Sequence, residues 1–394
     1  MNRLKLIPGP TSIVWILLTA ALLVGVKLYK PPMVERMQLT GFDLMLANDR
    51  VVKSDAVVIV DVESLEDPKI LGQTITRIQS LGAAAIVVPE RITNTSAELA
   101  NVLSHSNTVI AQFPSSSKVV VSKPDIVRRT IEVIGEDPAN HLLKWDHAVP
   151  PYKNLTETAA GVGAVVFPVD TDGVLRRMPL IIELNNDLYP TLAFEALRVA
   201  TAQNGFRIKS NSTGIELVRI TSQPLIDTDQ HGQTLLRWDD EFQKYTLRDI
   251  QNKGVNFKGK IVVLASTKDD NDSVFTPQGP KLPHYIHAQS IQTLLDNDSP
   301  TRPTYANVVE ILAIILGAAL LYCIVPMLPL WAIGVSFLIT TLGTLGLSFF
   351  LWRAHSQLWD LGYLIVCAVI LYSHAYTVRM IIQIPKRRPK WLGK

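Results

Sequence analysis

Four carboxylates stand where an α/β protein commonly takes a ligand. Asp61 and Glu63 close the apolar run AVVIVDVE (56–63), and Asp269 and Asp270 follow a second run, IVVLAS (261–266). If both runs are buried strands of an open sheet, these acids lie past the carboxyl ends, where such sheets form their binding crevice. They are the ligand-binding candidates, set against the plainer reading of a solvated acidic loop that continues through Asn271 and Asp272. A further acidic pair, Asp170 and Asp172, precedes Gly173 in VDTDGVLRR. The start resembles a calcium loop, but the full ligand spacing is incomplete and no Glu follows at the right distance. Asp170, Asp172 and Gly173 therefore read as a structural turn, because Asp-Gly accepts the positive φ of a tight hairpin. Arg176 and Arg177 either pair with these acids or meet an anionic ligand.

The remaining chemical signals are weaker. His284 and His287 have Asp296 and Asp298 nearby, yet two histidines are short of the three converging ligands a metal needs, so no metal site is expected. GVNFKGK (254–260) fits the opening of a phosphate loop, but Ile261 replaces the magnesium-binding hydroxyl and the string precedes a strand instead of following one. There is no nucleophile elbow or zincin motif. Catalytic residues and cofactors are accordingly expected to be none, and the chain is read as no enzyme.

These residues lie between long apolar stretches. One covers 11–28; about 275 residues of mixed sequence follow; then 308–325, 331–351 and 358–377 crowd the last quarter. Each is close to the length that crosses a hydrocarbon core of about 30 Å. The first lacks a small-x-small cleavage site and reads as a retained anchor. Beyond Thr377 the tail carries Arg379, Lys386, Arg387, Arg388, Lys390 and Lys394 without an acid, which places it in the cytoplasm by the positive-inside rule. Counting back puts the large domain outside and the N-terminus, with Arg3 and Lys5, inside. The expected organisation is a cytoplasmic segment 1–10, a span 11–28, an extracytoplasmic domain 29–303, spans 308–325, 331–351 and 358–377, and a basic tail 378–394. The net charge of +3 comes from the short basic ends, and nothing points to nucleic acid. Both cysteines, Cys323 and Cys367, fall in spans, so the outer domain has no disulfide and no thiol chemistry.

Within the third span Ser336, Thr340, Thr344 and Ser348 recur every four residues beside Gly343 and Gly346. Small residues at that spacing let helices approach closely, so the stripe is assigned to helix packing, within the bundle or against another subunit of a homo-oligomer. His374 reads as an interfacial histidine near the end of the last span, and the basic tail also suits anionic lipid heads.

In the outer domain, 56–63, a helical 70–81 ending at Gly82, a strand at AAAIVVP, a helix 96–104 capped by Ser96, and a strand at TVIAQF alternate as a parallel sheet requires. VGAVVFPVDTDGVLRRMPLIIEL predicts a hairpin about Asp172-Gly173, and YPTLAFEALRVA a helix with Leu192, Ala193, Ala196, Leu197 and Ala200 on one face. NFKGKIVVLAS adds a buried strand and HAQSIQTLLDN a helix leading to the second span. The fold class is an α/β extracytoplasmic domain, a mixed sheet with covering helices, plus four transmembrane α-helices.

FDLMLANDR, VVIVDVESL, VVFPVDTDGVLRRMPLIIEL with YPTLAFEAL, and FKGKIVVLAS leading to YIHAQSIQTLL resemble the successive blocks of the type-2 CHASE family. That family is a bacterial extracytoplasmic sensory module, usually with one span before it and three after. The resemblance covers nearly the whole outer domain, with DTDGVLRR as its most specific block. It departs at DPKILGQTITR, which lacks the family's Trp/Pro-rich turn although Arg77 stands near the expected Arg. It departs again at VVPERI, where Glu90 is the nearby acid. Members often continue into a kinase or cyclase, whereas this sequence stops at Lys394.

The resemblance implies a sensor or receptor in the bacterial inner membrane; the lack of catalytic motifs makes it non-enzymatic, and the charge asymmetry makes both termini cytoplasmic. Its expected partners are the bilayer, an unknown periplasmic ligand or protein, and a separate output or assembly protein. The rival is a scaffold subunit of a cell-envelope assembly. A transporter ranks below both, on the expectation that the four spans hold no intramembrane acids.

Overall fold

The computed structural model describes residues 10–49, 52–62, 65–116, 130–238, 240–252, 254–266 and 272–383. Contacts divide the chain into a sheet domain, Leu46–Thr301, and a helical unit made of Met1–Met45 with Arg302–Lys394. The helix Pro32–Ala47, which lies in the sequence-expected outer segment 29–303, groups mainly with the helical unit.

The sheet domain is built on strands β1 (Val52–Val62), β2 (Ala85–Val88), β3 (Thr108–Ser115), β4 (His147–Val149) and β5 (Gly161–Ala164). Later in the chain come β6 (Arg177–Pro179), β7 (Gln233–Leu235), β8 (Asp240–Thr246) and β9 (Ile261–Ser266). The main sheet runs β8-β1-β9-β2-β3-β4, with β5 also paired to β3. Every pairing in it is parallel except β3 with β4. The late strand β9 enters between β1 and β2, with Val57 opposite Ile261 and Ile261 opposite Ala85. β-branched and aliphatic side chains buried on both faces suit that central position.

Alternation along β1 divides the core. Val58, Val60 and Val62 join one cluster with Leu71, Ile75 and Ile78 of α3 (Pro68–Ser80) and Leu99 and Leu103 of α4 (Ala97–Ser104). Val57 and Ile59 join a second cluster with Leu192 and Ala196 of α5 (Leu192–Ala200) and Ala288 and Ile291 of α6 (Pro283–Asp296). The sheet is therefore covered by helices on both faces. Local signals agree with these elements: Asp67 caps α3 by accepting from the Lys69 N–H, and the Ser96 hydroxyl accepts from the Leu99 N–H at 3.0 Å. Smaller sheets complete the domain, among them Thr130–Gly135 beside Gly205–Asn211 and Gly214–Ile220 over a third cluster containing Phe194 and Phe206.

The expected hairpin is only partly present. Asp170–Gly173 is a turn, with the Gly173 N–H donating to the Asp170 carbonyl at 2.9 Å, but its two arms do not pair as one ladder. β5 is parallel to β3, and β6 is antiparallel to β7. The reason is competition: Gly163 brings β5 against the backbone of Thr191 and Leu192, a spacing that leaves no room for a Cβ, and the first arm is committed to the main sheet.

In the helical unit, α1 (Pro10–Tyr29) is followed by α2 (Pro32–Ala47), and the chain returns as α7 (Ala306–Ile324), α8 (Leu330–His355) and α9 (Leu361–Gln383). Three helices, Ala306–Ile324, Leu330–His355 and Gly362–Met380, are long and apolar enough to cross a membrane. A fourth crossing arises if Ile13–Tyr29 and Pro32–Ala47, bent by 75° at the break, count as one span. Ile16, Ala20 and Leu23 of α1 pack with Ile314 and Ala318 of α7 and Cys367 and Leu371 of α9. α8 joins this group mainly through α9, with Ile333 packed near Tyr372 and Ala375.

Candidate functional site

Of the four acids proposed for ligand binding, Asp61 is half-buried near the carboxyl end of β1, opposite Ala265 of β9 and Thr246 of β8. Glu63, Asp269 and Asp270 lie outside the described residues. Glu90, just past β2, accepts a hydrogen bond from the Ser266 N–H at 3.0 Å and so ties the carboxyl ends of β2 and β9 together. A surface groove of about 420 Å³ runs between α3 and α4, lined by Lys69, Gly72, Arg77, Glu98 and Val102; Asp61 is not among its lining residues. Arg77 donates from Nε to the Ile250 carbonyl at 2.7 Å, which gives it a packing role.

The DTDGVLRR block is an ion-paired turn. Arg176 is 1% exposed and reaches Asp170 at 3.1 Å and Asp172 at 2.7 Å. Arg177 bridges Asp170 at 3.5 Å and Asp229 at 3.1 Å. The Arg176 hydrogen bond is the main reason the Asp172 carboxyl is held below the usual carboxylate value. Both arginines thus serve the turn that presents them. Gly173 has φ +82, and a Cβ there would meet nothing within 4 Å. Gly173→Val is therefore expected to act through the backbone alone, costing the domain roughly 1–3 kcal/mol. Pulse proteolysis of the full-length protein in urea should show a lowered midpoint for it and a smaller loss for Gly173→Asn. Equal midpoints for Val and wild type would show that the turn tolerates ordinary φ.

His284 and His287 are both buried on α6, and neither ring nitrogen of His287 has a hydrogen-bond partner among the described residues. The Phe167 ring lies 5.2 Å away. Burial, with His284 a smaller cause, pushes His287 down to about 3, which marks it as a neutral core histidine. No group of three or more metal-ligating side chains occurs among the described residues. The string 254–260 is a turn: Phe257 is buried and its carbonyl accepts from the Lys260 N–H at 2.8 Å immediately before β9.

On α8, Ser348 is buried, Ser336 and Thr344 are half-buried and Thr340 is exposed. Thr340 and Thr344 donate to carbonyls four residues earlier, and Thr340 also lies 3.0 Å from the Tyr372 hydroxyl of α9. A Cβ placed on Gly343 or Gly346 meets nothing within 4 Å, so those glycines bring no described helix close.

The most concentrated chemistry was not picked out from the sequence. Lys27, in the last turn of α1, places Nζ 2.7 Å from Glu310 of α7 and 2.9 Å from Asp360, the residue before α9. All three are buried, with 4%, 1% and 3% exposure. Arg302 reaches the same Glu310 oxygen at 2.7 Å, and the Asp360 N–H donates to the other at 2.8 Å. Tyr363 closes the group: its N–H donates to Asp360 at 3.3 Å, its hydroxyl donates to the Leu23 carbonyl at 2.5 Å, and Lys27 sits 5.1 Å from its ring centre. Two acids and two bases compensate one another at one end of the bundle.

This corrects the expectation that the spans hold no acids. Glu310 lies inside the stretch 308–325 and Asp360 inside 358–377, and an ionisable residue in an apolar stretch is itself a site signal. The acids cluster at one end of the bundle, so they lay no polar path along its length.

Residues 14–324 match the CHASE2 domain family, from the first apolar helix through the sheet domain into α7. The chain belongs to that family. No curated protein and no solved structure gave a match. CHASE2 is a sensory domain family, and this member carries three apolar helices that are candidates to cross a membrane, the first of them, Ala306–Ile324, within the matched residues.

Proposed function

We propose that this CHASE2 protein is a non-enzymatic sensor of the bacterial inner membrane. Its sheet domain lies on the periplasmic side, takes a ligand or protein partner, and passes its state through the membrane helices to a separate output protein. One observation carries the reading: α1, which leads through α2 into the sheet domain, and α7, which follows that domain in the chain, pack together in the helical unit. A change that alters the domain's two chain ends would reach adjacent helices.

The orientation rests on the basic residues from Arg379 to Lys394. Alkaline phosphatase fusions are expected to be active near Asn211 and inactive at Lys394; activity at Lys394 would reverse the orientation. The sensing role is tested with the full-length protein in nanodiscs, titrated with the dialysable and retained fractions of an envelope extract. A rise in the unfolding midpoint with either fraction supports a receptor, because a ligand that binds only the folded state stabilises it. No shift, together with co-purification of an envelope protein at fixed stoichiometry, would replace the sensor with a scaffold subunit.

A further inference from the structure

We propose that Lys27, Glu310, Asp360 and Arg302 form a charge lock that holds α1, α7 and α9 as one rigid body. The lock draws one charged residue from each of three elements, plus Arg302 from the segment entering α7. Lys27 is shared by two carboxylates, and Glu310 by two cations, so α1 cannot slide past α7 or α9 without stranding a charge. Asp360 would lose its ammonium partner, and Glu310 would lose the lysine while keeping Arg302 and the Asp360 N–H. In an apolar bundle a stranded charge is far more costly than a lost surface pair.

The proposal uses the sensor reading for its purpose, since motion arriving at α1 or α7 would then be carried by three helices together.

The charge count makes a sharp test. Lys27→Met leaves an excess negative charge and Asp360→Asn an excess positive charge, while the double variant is neutral again, with Arg302 and Glu310 still paired. Each single variant should lower the SDS fraction at which the full-length protein unfolds, and the double variant should recover more than half of that loss, a coupling of the kind expected for residues in one ionic network. A double variant no more stable than the singles would show that packing, not charge balance, holds the site.

Locking is read separately by pulsed electron paramagnetic resonance. One nitroxide goes on the exposed native Cys323 of α7 and one on Leu18→Cys of α1, which is 55% exposed; Cys367 is buried. The distance distribution should be narrow with the lock intact and at least twofold broader in the neutral double variant, although that variant folds. A narrow distribution in the double variant would overturn the lock. Neither measurement requires a ligand, so failure of the sensor reading appears only in the extract titration.

Discussion

Acidification is expected to destabilise the sheet domain through His287, by about 4 kcal/mol between pH 6.5 and pH 3. In the folded domain this imidazole is fully buried and held down to about 3, against 6.5 in the unfolded chain. Above pH 6.5 both states hold it neutral, and nothing is lost. As the pH falls below 6.5 the unfolded chain takes up a proton that the folded domain refuses, so stability declines until the folded value is reached. The measurement is pulse proteolysis of the full-length protein in urea at a series of pH values, comparing wild type with His287→Leu. The comparison removes the part of the acid response that belongs to carboxylates. The variant should show a visibly flatter curve across this window. Parallel curves would mean that His287 is protonated in the folded domain or reaches water.

Arg176→Met is expected to cost the same domain about 3 kcal/mol, toward the lower end for breaking a buried ion pair because both acids retain some access to water. The guanidinium is almost wholly enclosed and satisfies Asp170 and Asp172 together, so its removal takes that cation from Asp172 and leaves Asp170 with Arg177 at 3.5 Å. Asp172 should then titrate closer to an ordinary aspartate, and Arg176→Met with Asp172→Asn should regain part of the stability. Arg176→Lys should fall between, since an ammonium supplies the charge without the two-pronged geometry. Full stability in Arg176→Met would remove the ion-paired turn from the explanation of this block.

Much of the sheet domain is legible because its signals are local. Ser96 and Gly82 mark helix ends through backbone preferences, and the β-branched run at 57–60 declares a strand buried on both sides. Strand order is not local. β9 lies between β1 and β2 although about 200 residues separate it from β1 and about 170 from β2, and no pattern within those segments distinguishes that arrangement from simple sequential neighbours. The Asp-Gly turn was legible for the same reason as the caps; its unpaired arms were not, because the partner that captures β5 is a strand and helix far away in the chain.

The sequence by itself therefore determined the apolar helices, the alternating elements, the turn and the family blocks, since each depends on residues within a few positions of one another. Tertiary structure decided the rest. It made His287 a buried, unpartnered group, turned Arg176 into the centre of a two-acid clasp, and gathered Lys27, Glu310 and Asp360, more than 300 residues apart at the extremes, into one compensated set. The physical reason is that burial and electrostatics are set by what surrounds a side chain, and the chain supplies those surroundings only when it folds.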